Sequence, residues 1–110
     1  MGVISEKGDG FILLRLEGSV DIACGAELKT ALLQALQSGG EVRIDAAAAT
    51  YFDVATMQLL WAAEREAKQR GVTYGCREEF PESIRIAWRE AGFDEIRRLD
   101  GTSQLSGEGD

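Results

Sequence analysis

The fold is decided by the stretch EVRIDAAAATYFDVATMQLL, which runs from Glu41 to Leu60. It opens with a short alternating segment in which Val42 and Ile44 point the same way, as expected of a strand with one buried face. Over 53–70 the apolar residues change to the spacing of a helix that packs on one side. The stretch therefore predicts a strand, a small-residue loop over 46–50 and a helix that begins at an aspartate.

The rest of the chain continues this alternation of strands and helices. The predicted elements are a strand at 3–7 joined by a Gly-Asp-Gly turn to a strand at 10–18, a helix around 28–36, a strand at 72–76, a helix from Pro81 to Ala91 and a last strand within 93–99. Strands that alternate with helices indicate a mainly parallel sheet with right-handed crossovers. We predict an α/β fold with a mixed, mainly parallel sheet of four to five strands and three helices packed mostly on one face.

The length of 110 residues is that of a single domain with one hydrophobic core. The last segment, GTSQLSGEGD, is small, polar and rich in glycine. Segments of this composition bury too little apolar surface to fold. We therefore assign the domain to residues 1–99 and predict a disordered tail over 100–110.

Composition and charge exclude several classes of function. The formal net charge is −7, from 19 acidic and 12 basic residues, and this repels nucleic acid and anionic lipid. No apolar run approaches the roughly 20 residues of a membrane span, and the N-terminus lacks a signal pattern, so we expect a cytoplasmic protein without membrane insertion. There is no histidine, and the two cysteines lie far apart in sequence. We expect both cysteines to be small buried hydrophobic side chains. We therefore predict no metal site and no cofactor.

Two aspartates follow predicted strands and open predicted helices. Asp53 is placed to accept hydrogen bonds from free N–H groups of the first helical turn, which is typically worth about 1 kcal/mol. Asp21 has the same relation to the first strand and helix. Because the carboxyl ends of parallel strands form the crevice where ligands and partners bind, both aspartates are expected to border one surface. Capping alone also explains Asp53, and the residues themselves do not decide between these readings.

The combined order of these segments resembles a STAS domain, the fold of the bacterial anti-sigma factor antagonists. The first part of the resemblance is LRLEGSVD, with Leu16, Gly18 and Asp21 in the family's positions. The second is EVRID followed by the helix opening at Asp53, and ESIRIAWREAGFDEI is similar to the family's third helix and final strand. The similarity spans about Val3 to Leu99.

The resemblance implies a function and a site. In this family a partner kinase phosphorylates the Ser or Thr directly after the helix-opening aspartate, which adds roughly −1.5 to −2 charges at the binding surface. Here that position is Val54, which has no hydroxyl, so the usual switch is absent. Thr56 is the alternative phosphoacceptor. The implied partner-binding residues are Asp21, Asp53, Val54, Ala55 and Thr56.

The resemblance further implies a non-catalytic regulatory protein-binding module in bacterial signalling, of the kind found with chemotaxis or two-component systems. Its partner would be an anti-sigma factor or a kinase-like ATPase. The alternative is an accessory subunit of a lipid-transport ABC complex, with an ABC transporter subunit as the partner.

A third alternative is an enzymatic function. A receiver-like phosphoacceptor would use Asp53 with a Mg²⁺ site built from further acids. The sequence has no adjacent acidic pair after its first strand, no suitable lysine late in the sheet and no glycine-rich phosphate loop. We therefore predict that the chain is not an enzyme. Trp88 falls in the apolar stripe of the third helix and is predicted to be core, whereas Trp61 fits a core or an interface position equally well.

Overall fold

The computed structural model describes residues 2–93 and Leu99. Its strands are β1 (Gly2–Lys7), β2 (Phe11–Val20), β3 (Glu41–Asp45), β4 (Ala49–Phe52) and β5 (Tyr74–Cys76), and its helices are α1 (Gly25–Gln37), α2 (Val54–Arg70) and α3 (Glu82–Glu90). A single 3₁₀ turn, Ile22–Cys24, joins β2 to α1. The α/β class, the five strands and the three helices confirm the predicted fold.

The sheet is mixed and is built around β2. Its strands lie in the order β1-β2-β3-β5, with β1 antiparallel to β2 and the other neighbours parallel. β3 pairs with the first half of β2, and β4 pairs in parallel with its last residues, from Gly18 to Val20. The register shifts between Gly18 and Ser19, where Gly18 has a φ of 70°. This left-handed conformation suits glycine because it carries no Cβ.

The loop predicted over 46–50 is wrong in part, because β4 begins at Ala49. The carbonyl of Ala48 accepts a 2.9 Å hydrogen bond from the N–H of Gly18, and the pairing with β2 continues to Phe52. Thr50, Tyr51 and Phe52 favour a strand, and the pairing with β2 extends it back to Ala49 at the end of the alanine run. The predicted strand within 93–99 and the predicted tail over 100–110 lie almost entirely outside the described residues.

The core lies between the sheet and the helices. Fully buried side chains come from β2, β3, α1 and α2, including Leu14, Leu16, Leu28, Ile44 and Leu60. Trp88 is also buried, which confirms the prediction, and it packs in an aromatic chain with Phe80 and Phe93. Cys76 is buried as expected, whereas Cys24 is half-buried.

The other face of the sheet carries cross-strand polar contacts. Arg15 of β2 forms an ion pair with Glu6 of β1, with a shortest distance of 3.0 Å, and the guanidinium of Arg43 lies 3.9 Å from the centre of the Phe11 ring. None of the helices in the part of the chain that the structure describes has the length and apolarity needed to cross a bilayer.

Candidate functional site

Two neighbouring strands end side by side at the carboxyl edge of the sheet. Val20, the last residue of β2, pairs with Phe52, the last residue of β4. The next residues along the chain are Asp21 and Asp53, so the two aspartates begin adjacent connections at the same edge. The predicted parallel topology implied that the two aspartates would be close. In the structure they are close because β4 pairs directly with the end of β2.

Asp53 is the N-cap of α2. Its backbone is extended (φ −83°, ψ 173°), and its Oδ1 accepts a 2.8 Å hydrogen bond from the N–H of Thr56. The N–H of Met57 bonds the Asp53 carbonyl at 3.1 Å, which starts the helical ladder. The carboxylate therefore has the capping role that the sequence predicted and places negative charge at the positive end of the helix.

Asp21 has a similar role at the other connection. Its Oδ1 accepts a 3.0 Å hydrogen bond from the N–H of Ala23, at the start of the 3₁₀ turn. Both aspartates thus direct a carboxylate oxygen to the backbone of their own connection. A carboxylate that accepts such a hydrogen bond restricts the backbone of its connection and also places a negative charge at the surface.

Thr56 joins the two connections. Its side chain is only 1% exposed, and its Oγ1 donates a 2.9 Å hydrogen bond to the carbonyl of Val20, 36 residues earlier in the chain. The N–H of Asp53 donates to the same carbonyl at 3.3 Å. This hydroxyl is buried in the protein, and its proton is engaged in the bond to Val20.

Exposed apolar side chains lie on the same two connections and on the neighbouring strand β4. Val54, at the first position of α2, is 54% exposed, and Ala55 beside it is also exposed. Ile22 in the 3₁₀ turn is 78% exposed and Tyr51 in β4 is 53% exposed. We call these four residues the Val54 surface.

Ile22 and Tyr51 were missed by sequence reasoning. Both carried a weak signal. Ile22 lies outside the apolar stripe of α1, and Tyr51 precedes a buried phenylalanine in a strand whose exposure pattern alternates poorly. Six large apolar side chains are exposed among the described residues, and three of the six are Ile22, Tyr51 and Val54. Isolated exposed apolar residues are ordinary, but a concentration at one edge is typical of a protein-binding surface.

The side chains at this edge are two capping carboxylates, a buried hydroxyl and exposed apolar groups. Among residues 2–93 and Leu99, no three side chains of His, Cys, Asp or Glu lie close enough together to hold a metal ion. The hydroxyl nearest to the Asp53 cap is the buried one of Thr56, and Val54 offers only methyl groups. Trp61 is half-buried beside Phe93, with the Arg65 guanidinium 4.8 Å from its ring, so it lies partly in the core and partly at the surface.

A protein-family model described as "Mlab, STAS domain" matches residues 6–98. The chain belongs to this STAS-domain family. The match covers β2 to β5, the last two residues of β1, the three helices and the Val54 surface. No curated protein sequence matches the chain.

Solved structures share the STAS fold at low sequence identity. RsbS of Moorella thermoacetica, in a form with a serine-to-glutamate substitution, superposes with a TM-score of 0.75 at 22% identity, covering 97% of both chains. The anti-sigma factor antagonist SpoIIAA in its unphosphorylated form gives 0.68 at 14% identity, covering 98% of this chain and 96% of that one. The protein Mglu gives 0.62 at 20% identity, and this STAS domain matches only 20% of its length.

Proposed function

We propose that this STAS domain is a non-catalytic regulatory module that binds a signalling protein through the Val54 surface. The observation that carries the proposal is the exposure of Val54 and Ile22 on two connections that are fixed to each other by the Val20 carbonyl. Apolar side chains on a rigid support bind with little loss of conformational entropy. The partner should therefore present an apolar groove to these residues.

The likeness to SpoIIAA and RsbS supports a partner of the anti-sigma factor or kinase-like ATPase class. SpoIIAA is described as an anti-sigma factor antagonist and has been solved in phosphorylated and unphosphorylated forms. In this chain the helix opening carries Val54, and the nearby Thr56 hydroxyl is enclosed. We infer that binding here is not switched by a phosphate at the helix opening and that control rests with the partner or another component.

The carboxylates of Asp21 and Asp53 act mainly by shaping this surface. Each accepts a hydrogen bond from its own connection, so its contribution to the complex is to hold the backbone in place. Recognition then depends more on shape and apolar contact than on long-range attraction. Increased salt is expected to weaken the complex only slightly, because screening acts on charge and not on apolar burial.

The decisive experiment is affinity purification from the native cell with a matched pair of variants. Val54→Arg places a charge at the centre of the Val54 surface and should abolish recovery of the partner. Leu33→Arg makes the same change at a 41% exposed residue of α1 and should leave recovery unchanged. Equal recovery by both variants would show that the partner binds elsewhere.

The identity of the recovered protein and the mass of the bait complete the test. A kinase-like ATPase or anti-sigma factor supports the proposal, whereas an ABC-transporter subunit recovered from detergent-solubilised membranes would assign the chain to a transport complex. Intact-mass analysis of the bait is expected to show no phosphate. An added phosphate that maps to Thr56 would overturn the unswitched mode.

A further inference from the structure

β1 is an edge strand with an ordered set of free backbone groups. It pairs only with β2 in the part of the chain that the structure describes. The N–H of Gly8 donates to the carbonyl of Phe11 at 2.8 Å, which makes these two a hydrogen-bonded pair of the hairpin. Because bonded and non-bonded pairs alternate along an antiparallel ladder, Val3, Ser5 and Lys7 turn their N–H and C=O groups away from β2.

The outer side of β1 adjoins a groove against α1. The groove has a volume of about 400 Å³ and is lined by Val3 and Ser5 from β1 and by Ala26, Glu27, Thr30, Ala31 and Gln34 from α1. Most of these side chains are small. An added strand beside β1 therefore meets mainly small side chains on this face of the sheet, with Glu27 and Gln34 as the two longer ones. On the other face its nearest apolar neighbour is Ile4, which is 39% exposed.

We propose that the β1 edge pairs with the β1 edge of a second copy of this chain, forming a twofold-symmetric dimer with one continuous sheet. An isologous contact requires a self-complementary surface. With the twofold axis at Ser5, the outward N–H and C=O groups of Ser5 face those of Ser5 in the second copy. The outward groups of Val3 face those of Lys7 in the second copy. All three outward residues of each strand then take part in the new ladder.

Side-chain charge favours this register over the one centred on Glu6. With the axis at Ser5, Glu6 lies opposite Ile4 and Lys7 lies opposite Val3, so no like charges meet across the strands. Moving the axis to Glu6 would place two Glu6 carboxylates against each other, which is destabilising. A shift to an axis between two residues would set inward-turned groups against outward ones and break the ladder.

Glu27 supplies a charged partner across the dimer. Its Oε1 lies 3.9 Å from the position that a Cβ would take at Gly2, so the carboxylate sits beside the start of β1. In the Ser5-centred register, Lys7 of the second copy arrives opposite Val3, on the face where Glu27 lines the groove. The twofold axis repeats this Glu27–Lys7 pairing, so the dimer contains it twice.

The antiparallel arrangement keeps both Val54 surfaces free. β2 runs antiparallel to β1, and two β1 strands paired through a twofold axis are antiparallel to each other. The carboxyl ends of the two β2 strands therefore point to opposite ends of the continuous sheet. The dimer could therefore bind two partners at once. Because the β1 contact does not involve the Val54 surface, dimer formation can be tested without a partner.

Disulfide trapping tests the register directly. A bonded antiparallel pair has Cα atoms about 5.5 Å apart, within the range that a disulfide bridges. In a Cys24→Ala background, Ser5→Cys is expected to form a covalent dimer under mild oxidation. Ile4→Cys is the control: it is also at the β1 edge, but its two copies lie beyond disulfide reach in this register.

Sedimentation at physiological ionic strength tests the dimer without cross-linking. The wild-type chain should sediment as a concentration-dependent dimer. Ser5→Pro, which removes an outward N–H that β2 does not use, should be a folded monomer by circular dichroism. Lys7→Glu should weaken the dimer, and adding Glu27→Lys to it should restore the dimer.

Two outcomes would overturn the proposal. One is a wild-type chain that remains monomeric at its highest soluble concentration while Ser5→Cys cross-links no faster than Ile4→Cys. The other is a dimer that persists in a folded Ser5→Pro variant, because its contact would then lie elsewhere.

Discussion

The hydroxyl of Thr56 donates a 2.9 Å hydrogen bond to the carbonyl of Val20, and this bond joins the start of α2 to the end of β2. Since Val20 precedes the connection that carries Ile22, and Thr56 follows Val54 by two residues, the bond fixes both halves of the Val54 surface. The hydroxyl that makes this bond is buried. One side chain thus holds the two connections of the surface together.

Thr56→Val tests this bond at nearly constant volume. The variant removes the hydroxyl from a buried site and leaves the Val20 carbonyl with the longer bond from the Asp53 N–H. We expect the free energy of unfolding to fall by about 1 kcal/mol. Urea denaturation measures it, with the exposed Thr30→Val as the control. An unchanged stability would mean that the bond contributes nothing in solution.

Charged substitutions at Val54 should affect partner binding and the stability of the domain in different ways. At the first position of α2, a negative side chain interacts favourably with the helix dipole and a positive one unfavourably, so Val54→Glu should be more stable than Val54→Lys by about 1 kcal/mol at low salt. Both variants should lose the partner, because both place a charge on an apolar contact surface.

The same two substitutions at Gln37, the last residue of α1, provide the control. There the order of stability should reverse, with Gln37→Lys above Gln37→Glu, and partner binding should not change. The same order at both positions would refute the dipole explanation.

The buried phenol of Tyr74 should make the stability of the domain depend on pH in the alkaline range. Burial, together with the negative charge of Glu64 and the neighbouring Cys76, raises the pKa of its phenol well above the ordinary value. Above about pH 10 the unfolded chain loses this proton while the folded chain keeps it, so the free energy of unfolding falls as pH rises. Below about pH 10 both states are protonated, and the contribution is fully present.

Tyr74→Phe should remove this alkaline loss. At neutral pH the variant is expected to be less stable by about 1 kcal/mol, because it lacks the 2.9 Å hydrogen bond to the Leu60 carbonyl. Above about pH 10 the gap to wild type should narrow. Denaturation on both sides of this pH measures the gap, and the exposed Tyr51→Phe serves as the control. A gap that stays constant with pH would contradict the raised pKa.

Two glycines should respond to alanine in opposite directions. A Cβ at Gly40 would lie 2.8 Å from the Gly10 carbonyl oxygen, a backbone atom that cannot move aside, so Gly40→Ala should destabilise the domain. Gly25, with a φ of −58°, has no atom within 4 Å of an added Cβ. Gly25→Ala should stabilise the domain by about 0.4–1 kcal/mol, chiefly by restricting the unfolded chain. Thermal melting of both variants checks the signs: a Gly40→Ala variant as stable as wild type would contradict the close approach at Gly40, and a destabilised Gly25→Ala variant would contradict the open space at Gly25.

The sequence predicted the features that local periodicity and capping determine. The apolar stripe over 53–70 marked α2, and the aspartate before it marked the cap that accepts the Thr56 N–H. The nearness of Asp21 and Asp53 was also predictable, because parallel strands bring their carboxyl ends together. These inferences need only a few consecutive residues and one rule of topology.

The features that the sequence did not predict depend on distant contacts. β4 is only four residues long and follows a run of alanines, and it pairs with the part of β2 that lies beyond the pairing with β3. The Thr56–Val20 bond joins residues 36 positions apart, so no local signal marks it. The exposure of Ile22 follows from the 3₁₀ turn, which shifts it off the face that α1 buries.

β2 pairs with three strands along its ten residues, and its last carbonyl holds the start of α2. Its amide protons should exchange with deuterated solvent only through nearly global opening, since each strand beside it must also separate. The Val54 surface is anchored to this slowest-exchanging segment. A protein that docks there meets a surface that is already ordered, so its association rate should be limited by encounter and not by a rearrangement of this chain.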